Sequence, residues 1–160
     1  MILLAPAALK TVTEAAEAAY PRESCGLLIG RRLDNGAIRV TRAEVAENVA
    51  EGSGADRFEV DPRLRIRLMK ELRGGPEDIV GHFHSHPDHP AQPSATDLDH
   101  AFEPDLVWLI TSVRAGQAMR ATAHVLDESG RQFREIPLRT DDWTPYPSRP
   151  APHTGPETSE

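Results

Sequence analysis

Two histidines set two residues apart, His84 and His86, are followed by Ser94 and Asp97, and these are the residues of the chain whose types and spacing can hold a metal ion. The histidines close an apolar run, Asp78–Phe83, that reads as a strand. Side chains at i and i+2 of a strand point to one face, so both imidazoles can converge on one ion. Ser94 and Asp97 are three apart and share a face if the chain is helical there. Two imidazoles and a carboxylate, with a fourth position open, make a catalytic rather than a structural zinc site. Zinc in such a site brings the pKa of its water to roughly 7, so hydroxide becomes available at neutral pH. Plainer readings exist. His84-Ser85-His86 also suits a polar strand end, and Ser94 with Asp97 matches a capping box. The conjunction of all four, directly after an apolar strand, favours a site.

The order His-Ser-His-Pro, seven residues, Ser94, two residues, Asp97 resembles the JAMM (MPN-domain) metallopeptidase family. Its upstream glutamate is matched by Glu23 in Tyr20-Pro21-Arg22-Glu23-Ser24-Cys25-Gly26-Leu27-Leu28-Ile29-Gly30, which is similar to the stretch around the general base of bacterial members. The resemblance covers roughly residues 1–137 and points to the small standalone bacterial type. It implies a cytidine-deaminase-like α/β architecture. It also implies Zn2+ held by His84, His86 and Asp97. Glu23 would then be the base that deprotonates water and later protonates the leaving amine, and Ser94 the donor to the tetrahedral oxyanion. The implied substrate is the amide bond after the C-terminal tail of a ubiquitin-like or sulfur-carrier β-grasp protein. The leaving group is open between a lysine isopeptide, a peptide and a small amine such as cysteine. An extended tail could add as a strand along residues 48–60 or 85–93. Two other readings stand beside this one: a non-catalytic scaffold of the same fold, and a zinc hydrolase of a small-molecule amide.

Several neighbours have weaker claims. His82 shares the strand parity of His84 and reads as a packing or supporting residue. Asp88 and His89 lie in the proline-rich loop 87–93, where they could contact substrate or simply face water. His100 falls three residues after Asp97 and could support it. Cys25 reads as a small buried core residue. Gly26 and Gly30 suit close packing or a turn, and Trp108 and Ile110 suit a core strand.

Composition bounds the rest. A chain of 160 residues with 39% hydrophobic and 27% charged residues is long enough for one domain with its own core. A formal net charge of −7 without a basic stripe argues against nucleic acid. One cysteine builds no internal disulfide, so nothing calls for an oxidising compartment. No apolar run is long enough to span a bilayer, and Met1–Leu4 lacks the basic region of a signal peptide. The expected location is cytoplasmic.

The elements follow from pattern and punctuation. Leu9, Val12, Ala16 and Ala19 recur at helical spacing after Pro6, and Tyr20-Pro21 ends that helix. Ser24–Gly30 reads as a buried strand, Asp34-Asn35-Gly36 as a hairpin turn, and Ile38 to Val45 as the return. Phe58–Val60 reads as a short strand, and Asp61-Pro62 opens a helix through Leu72 that Gly74-Gly75 stops. A short helix begins near Ser94, Leu106–Val113 is a strand, and Met119–Leu126 pairs with Gln132–Leu138. The expected whole is an α/β domain over residues 1–139, with a single mixed, mainly antiparallel sheet flanked by two or three helices. Residues 140–160 carry Pro145, Pro147, Pro150, Pro152 and Pro156 and are expected to form a disordered tail in which Trp143 and Tyr146 could dock on a partner.

Overall fold

The computed structural model describes residues 1–101 and 103–140. Residues 141–160, which include Trp143, Tyr146 and nearly all of the expected tail, lie outside the described residues. The element order is β1 (Ile2–Leu4), α1 (Pro6–Ala19), β2 (Cys25–Arg32), β3 (Ile38–Ala46), α2 (Pro62–Leu72), β4 (Asp78–Pro87), α3 (Ala95–Asp99), β5 (Val107–Arg114), β6 (Gln117–Leu126), β7 (Phe133–Ile136) and β8 (Leu138–Thr140). The strands form one sheet in the order β7-β6-β5-β4-β2-β3-β1-β8. Four of its seven pairings are antiparallel and three parallel, so the mixed and mainly antiparallel sheet with three helices is as expected. Among the described residues no helix is long and apolar enough to cross a membrane.

Strand alternation sorts the two faces. Leu28 of β2, Phe83 of β4 and Leu109 of β5 pack with Ala8 and Val12 of α1. The next residues along β2, Leu27 and Ile29, pack instead with Leu64 and Leu68 of α2. The helices therefore cover opposite faces, and His82, His84 and His86 emerge on the α2 face, out of phase with Phe83. Asp61 accepts a hydrogen bond from the backbone N–H of Arg63 and caps α2, and Pro62 occupies the first helical position. Leu68 is fully buried at the centre of this smaller cluster. Leu68→Ala is expected to cost about 2–5 kcal/mol, read as a lower urea midpoint at unchanged slope.

Four expectations need correction. Met1–Leu4, given no element from pattern, holds a strand: Ile2–Leu4 forms β1, parallel to β3 and β8, because burial there completes the α1 core. Phe58–Val60 is not a strand. Val60 makes a single bridge to Asn48, and Phe58 turns inward onto a histidine. The strand 132–138 is two strands. Pro137 has no N–H to give, and the chain leaves β6 there to run beside β1 as β8, through Thr140. The buried stripe of α1 is Ala8, Val12 and Ala16, with Leu9 only partly covered.

Candidate metal centre

Strand β4 runs through both histidines to Pro87, so their convergence is a property of the strand. His84 Nε2 and His86 Nε2 stand 3.0 Å apart. Asp97 Oδ2 is 3.2 Å from the first and 3.1 Å from the second. Glu23 Oε1 lies 3.7 Å from His86 Nε2. All four residues are buried, from fully in the case of His84 to 6% exposed at His86. Glu23, His84 and His86 also offer three donor atoms within 4.8 Å of one another, so the site has two carboxylates that could join the imidazoles.

Each side chain is aimed by its neighbours. Ser94 caps α3: its Oγ accepts from Asp97 N–H at 3.0 Å, and Asp97 Oδ2 accepts from Ser94 N–H at 2.9 Å. The capping box and the site are therefore the same structure, since that carboxylate oxygen also faces both imidazoles. Its cap leaves the Ser94 hydroxyl hydrogen available, and Ser94 lines a cleft of about 350 Å³ with Glu23, His86, His89 and Asp56. His86 Nδ1 is 2.8 Å from Pro90 O. A carbonyl only accepts, so Nδ1 carries the hydrogen there, and neutral His86 presents a bare Nε2 to the cluster. The ring of Phe58 stacks on His84 at 4.2 Å.

Burial and charge set the protonation. Burial holds His84 below the ordinary histidine value, and so neutral. Burial also works against a charged His86, but the hydrogen bonds of Asp97 and Pro90 outweigh it and raise that histidine. Burial tends to raise Asp97, yet its bonds from His84 and His86 keep it well below the usual carboxylate range. Glu23 is pushed up to about 8, first by burial, with His86 opposing and Asp97 adding to the rise. The Oε2 atom of Glu23 and Nδ1 of His84 are buried without a hydrogen-bond partner.

These features fit a metal ion. A tetrahedral shell with bonds of about 2.0–2.1 Å holds its donor atoms about 3.3–3.4 Å apart, close to the spacing of the two imidazoles and Asp97. Neutral His84 with its hydrogen on Nε2 can donate to the bare Nε2 of His86 or to Asp97, and a bound ion would take the place of that proton.

The other expected neighbours fall outside this cluster or serve the fold. His82 packs edge-on against Trp108 at 4.1 Å, which gives the packing role. Asp88 accepts from Tyr20 Oη at 2.7 Å and from Ala115 N–H at 3.1 Å, so its carboxylate ties three segments together instead of facing substrate. His100 Nδ1 turns back to Thr96 O at 2.8 Å. Cys25 is buried with Sγ against the carbonyls of Ala46, Glu47 and Glu59, and burial pushes its thiol up to about 12. A thiol in that setting is neither a nucleophile nor a ready ligand.

Two contributors were missed by sequence reasoning, Ser85 and Asn48. Ser85 faces the opposite side from its histidine neighbours, where its Oγ accepts from both Ser24 N–H at 2.8 Å and Ser24 Oγ–H at 3.1 Å. Ser85 N–H in turn donates to Ser24 O at 3.1 Å. This clasp joins the segment of Glu23 to the strand of the histidines. Strand parity held the signal, because a serine between two site-facing histidines must point the other way and there find a partner. Ser85→Ala leaves the Ser24 N–H buried without an acceptor. A loss of about 1–3 kcal/mol is expected in urea unfolding.

Comparison with known proteins places the chain in a family. The family described as prokaryotic homologs of the JAB domain matches residues 6–125. A desampylase of Haloferax volcanii is 35% identical over 133 residues, covering 83% of this chain and 88% of that protein. The 26S proteasome regulatory subunit rpn11 of Schizosaccharomyces pombe is 33% identical over 81 residues, 49% of this chain, which spans only 26% of that larger protein. A solution structure of a protein from Desulfitobacterium hafniense superposes with a TM-score of 0.76 at 30% identity, covering 90% of this chain and 95% of that one. The chain belongs to the prokaryotic branch of the JAB (JAMM/MPN) domain family.

Proposed function

We propose that this chain is a zinc-dependent peptidase or isopeptidase that hydrolyses the amide bond following the C-terminal tail of a ubiquitin-like or sulfur-carrier protein. The observation that carries the reading is the spacing of His84 Nε2, His86 Nε2 and Asp97 Oδ2 at 3.0–3.2 Å, with a second buried carboxylate, Glu23, beside them. His84, His86 and Asp97 would hold the ion, since their donor atoms have the spacing of one coordination shell. Glu23 Oε1 stands further off, 3.7 Å from His86 Nε2, and would act as a base on a water. When bound, zinc supplies Lewis acidity and brings the pKa of water at its open position to roughly 7.

The protein's own groups do the rest. Glu23 takes the proton of the attacking water and returns it to the leaving amine. Its burial raises its proton affinity into the range where both transfers are possible near neutral pH. The Ser94 hydroxyl donates to the carbonyl oxygen as negative charge develops there. His86 is kept in register by Pro90 O and His84 by the Phe58 ring. A relative named as a desampylase, matched over most of both chains, supports an enzyme over a scaffold, as does the presence of a suitable residue at every position of the signature. A single buried thiol and the net charge of −7 fit a cytoplasmic protein that handles proteins and not nucleic acid.

The test is hydrolysis by the zinc-loaded protein of β-grasp proteins ending in Gly-Gly and extended by a peptide or joined to a lysine side chain. Mass spectrometry should find cleavage after the second glycine, stopped by a chelator and restored by zinc. If no such fusion is cut, the protein-substrate reading fails.

A further inference from the structure

The peptide of Glu23 has no place in the sheet ladder, because β2 begins only at Cys25. Both of its backbone groups are tied instead to the loop between β3 and α2. Its N–H donates to Gly54 O at 2.6 Å, and its carbonyl accepts from Asn48 Nδ2 at 3.1 Å. Asn48 makes four such bonds. Its Nδ2 also donates to Arg57 O at 3.1 Å, and its Oδ1 accepts from Ala50 N–H at 3.1 Å and Glu59 N–H at 3.0 Å. A carboxamide has two donor hydrogens and two acceptor lone pairs, so its capacity is fully used. The same loop carries Phe58 onto His84. It also takes the guanidinium of Arg22, which bonds to Asn48 O at 3.3 Å and lies against Gly54 so closely that a Cβ there would meet it at 2.8 Å.

We infer that Asn48 is a positioning residue for Glu23, fixing the base and the loop that braces His84 as one unit. The inference rests on Glu23 being the base of the proposed reaction. Without the amide donor, the segment Arg22-Glu23 keeps its clasp at Ser24, the Glu23 N–H bond to Gly54 O and the Arg22 bond to Asn48 O, but the Glu23 carbonyl loses its side-chain donor and the carboxylate is freer to drift from the ligand cluster. A displacement of about 1 Å in a catalytic group costs on the order of 10²-fold in rate.

Asn48→Asp separates the two halves of the side chain's work. It keeps the shape and the acceptors for Ala50 and Glu59 and removes the donors to Glu23 and Arg57. Asn48→Ala removes all four bonds. Three readouts on the full chain decide: amide hydrogen exchange, zinc affinity by competition with a chromogenic chelator, and steady-state cleavage of a peptide-extended β-grasp protein ending in Gly-Gly. In Asn48→Asp the Glu23 amide should exchange on the order of 10-fold faster, while those of Ala50 and Glu59 and the zinc affinity hold. Cleavage should lose on the order of 10²-fold in kcat with KM nearly unchanged. Unaltered Glu23 exchange and kcat in Asn48→Asp would overturn the inference. So would collapse of the whole fold in both variants, which would make Asn48 a residue of the fold alone. If the wild type cuts no fusion but Glu23 exchange responds as described, the enzymatic reading falls and the positioning of Glu23 by Asn48 stands.

Discussion

Glu23→Gln should lower hydrolysis by on the order of 10³-fold while the protein stays folded and keeps its zinc. General acid–base groups typically contribute 10²–10⁴-fold, and here one carboxylate is asked to move a proton twice. The amide of glutamine is nearly isosteric and leaves the backbone ties to Gly54 and Asn48 intact, so the loss reports on the carboxylate itself. Because burial already raises Glu23 to about 8, the neutral substitution changes little charge near neutral pH, and stability should hold. The check is a pair of measurements on one preparation: zinc by atomic emission and turnover of a cleaved fusion. Full activity in Glu23→Gln would remove Glu23 from the mechanism. Loss of zinc in step with loss of activity would make it a ligand.

Removing one imidazole or the helix carboxylate should have the opposite signature. His84→Ala and Asp97→Ala are each expected to lose stoichiometric zinc together with all measurable hydrolysis. Asp97→Ala also removes the capping-box bond from Ser94 N–H, at a cost of about 1 kcal/mol. His84→Ala opens a gap under Phe58 at a fully buried position. The ion should also stabilise the wild type, by about 2.7 kcal/mol at a free concentration 100 times its Kd, seen as a rise in Tm on adding zinc. Neither variant should show that rise. A scaffold that binds no metal would show no zinc-dependent Tm in any of the three proteins.

Much of this was legible in the residues because local rules and the site coincide. His84 and His86 converge by strand parity alone. Ser94 and Asp97 obey a capping rule that also delivers the carboxylate to the two imidazoles, so what looked like competing explanations describe one arrangement. Asp61-Pro62 and Gly74-Gly75 marked α2 correctly, because caps and glycines act over a few residues. What escaped depends on contacts distant in sequence. The strand character of Ile2–Leu4 comes from pairing with β3 and β8, more than thirty and more than a hundred residues away. Phe58 looked like a strand residue because Phe58 and Val60 alternate with the charged Arg57 and Glu59, whereas the ring is drawn out of any ladder to cover His84. Asn48 lies in a polar loop where an asparagine ordinarily marks a turn, and nothing local distinguishes one that bridges to Glu23. Glu23 itself owed its assignment to resemblance, and its burial with an unpartnered Oε2 supplies the physical argument that the sequence lacked.

The claim on which the rest depends is that Asp97, and not Glu23, completes the ligand set with the two histidines. The direct measurement is a crystal structure of the zinc-loaded protein with anomalous data on both sides of the zinc absorption edge. The account predicts a single anomalous peak bonded to His84 Nε2, His86 Nε2 and an Asp97 oxygen at about 2.0–2.2 Å, with Glu23 held off by one water. A peak bonded to Glu23 in place of Asp97, or no peak between the histidines at full zinc loading, would contradict it.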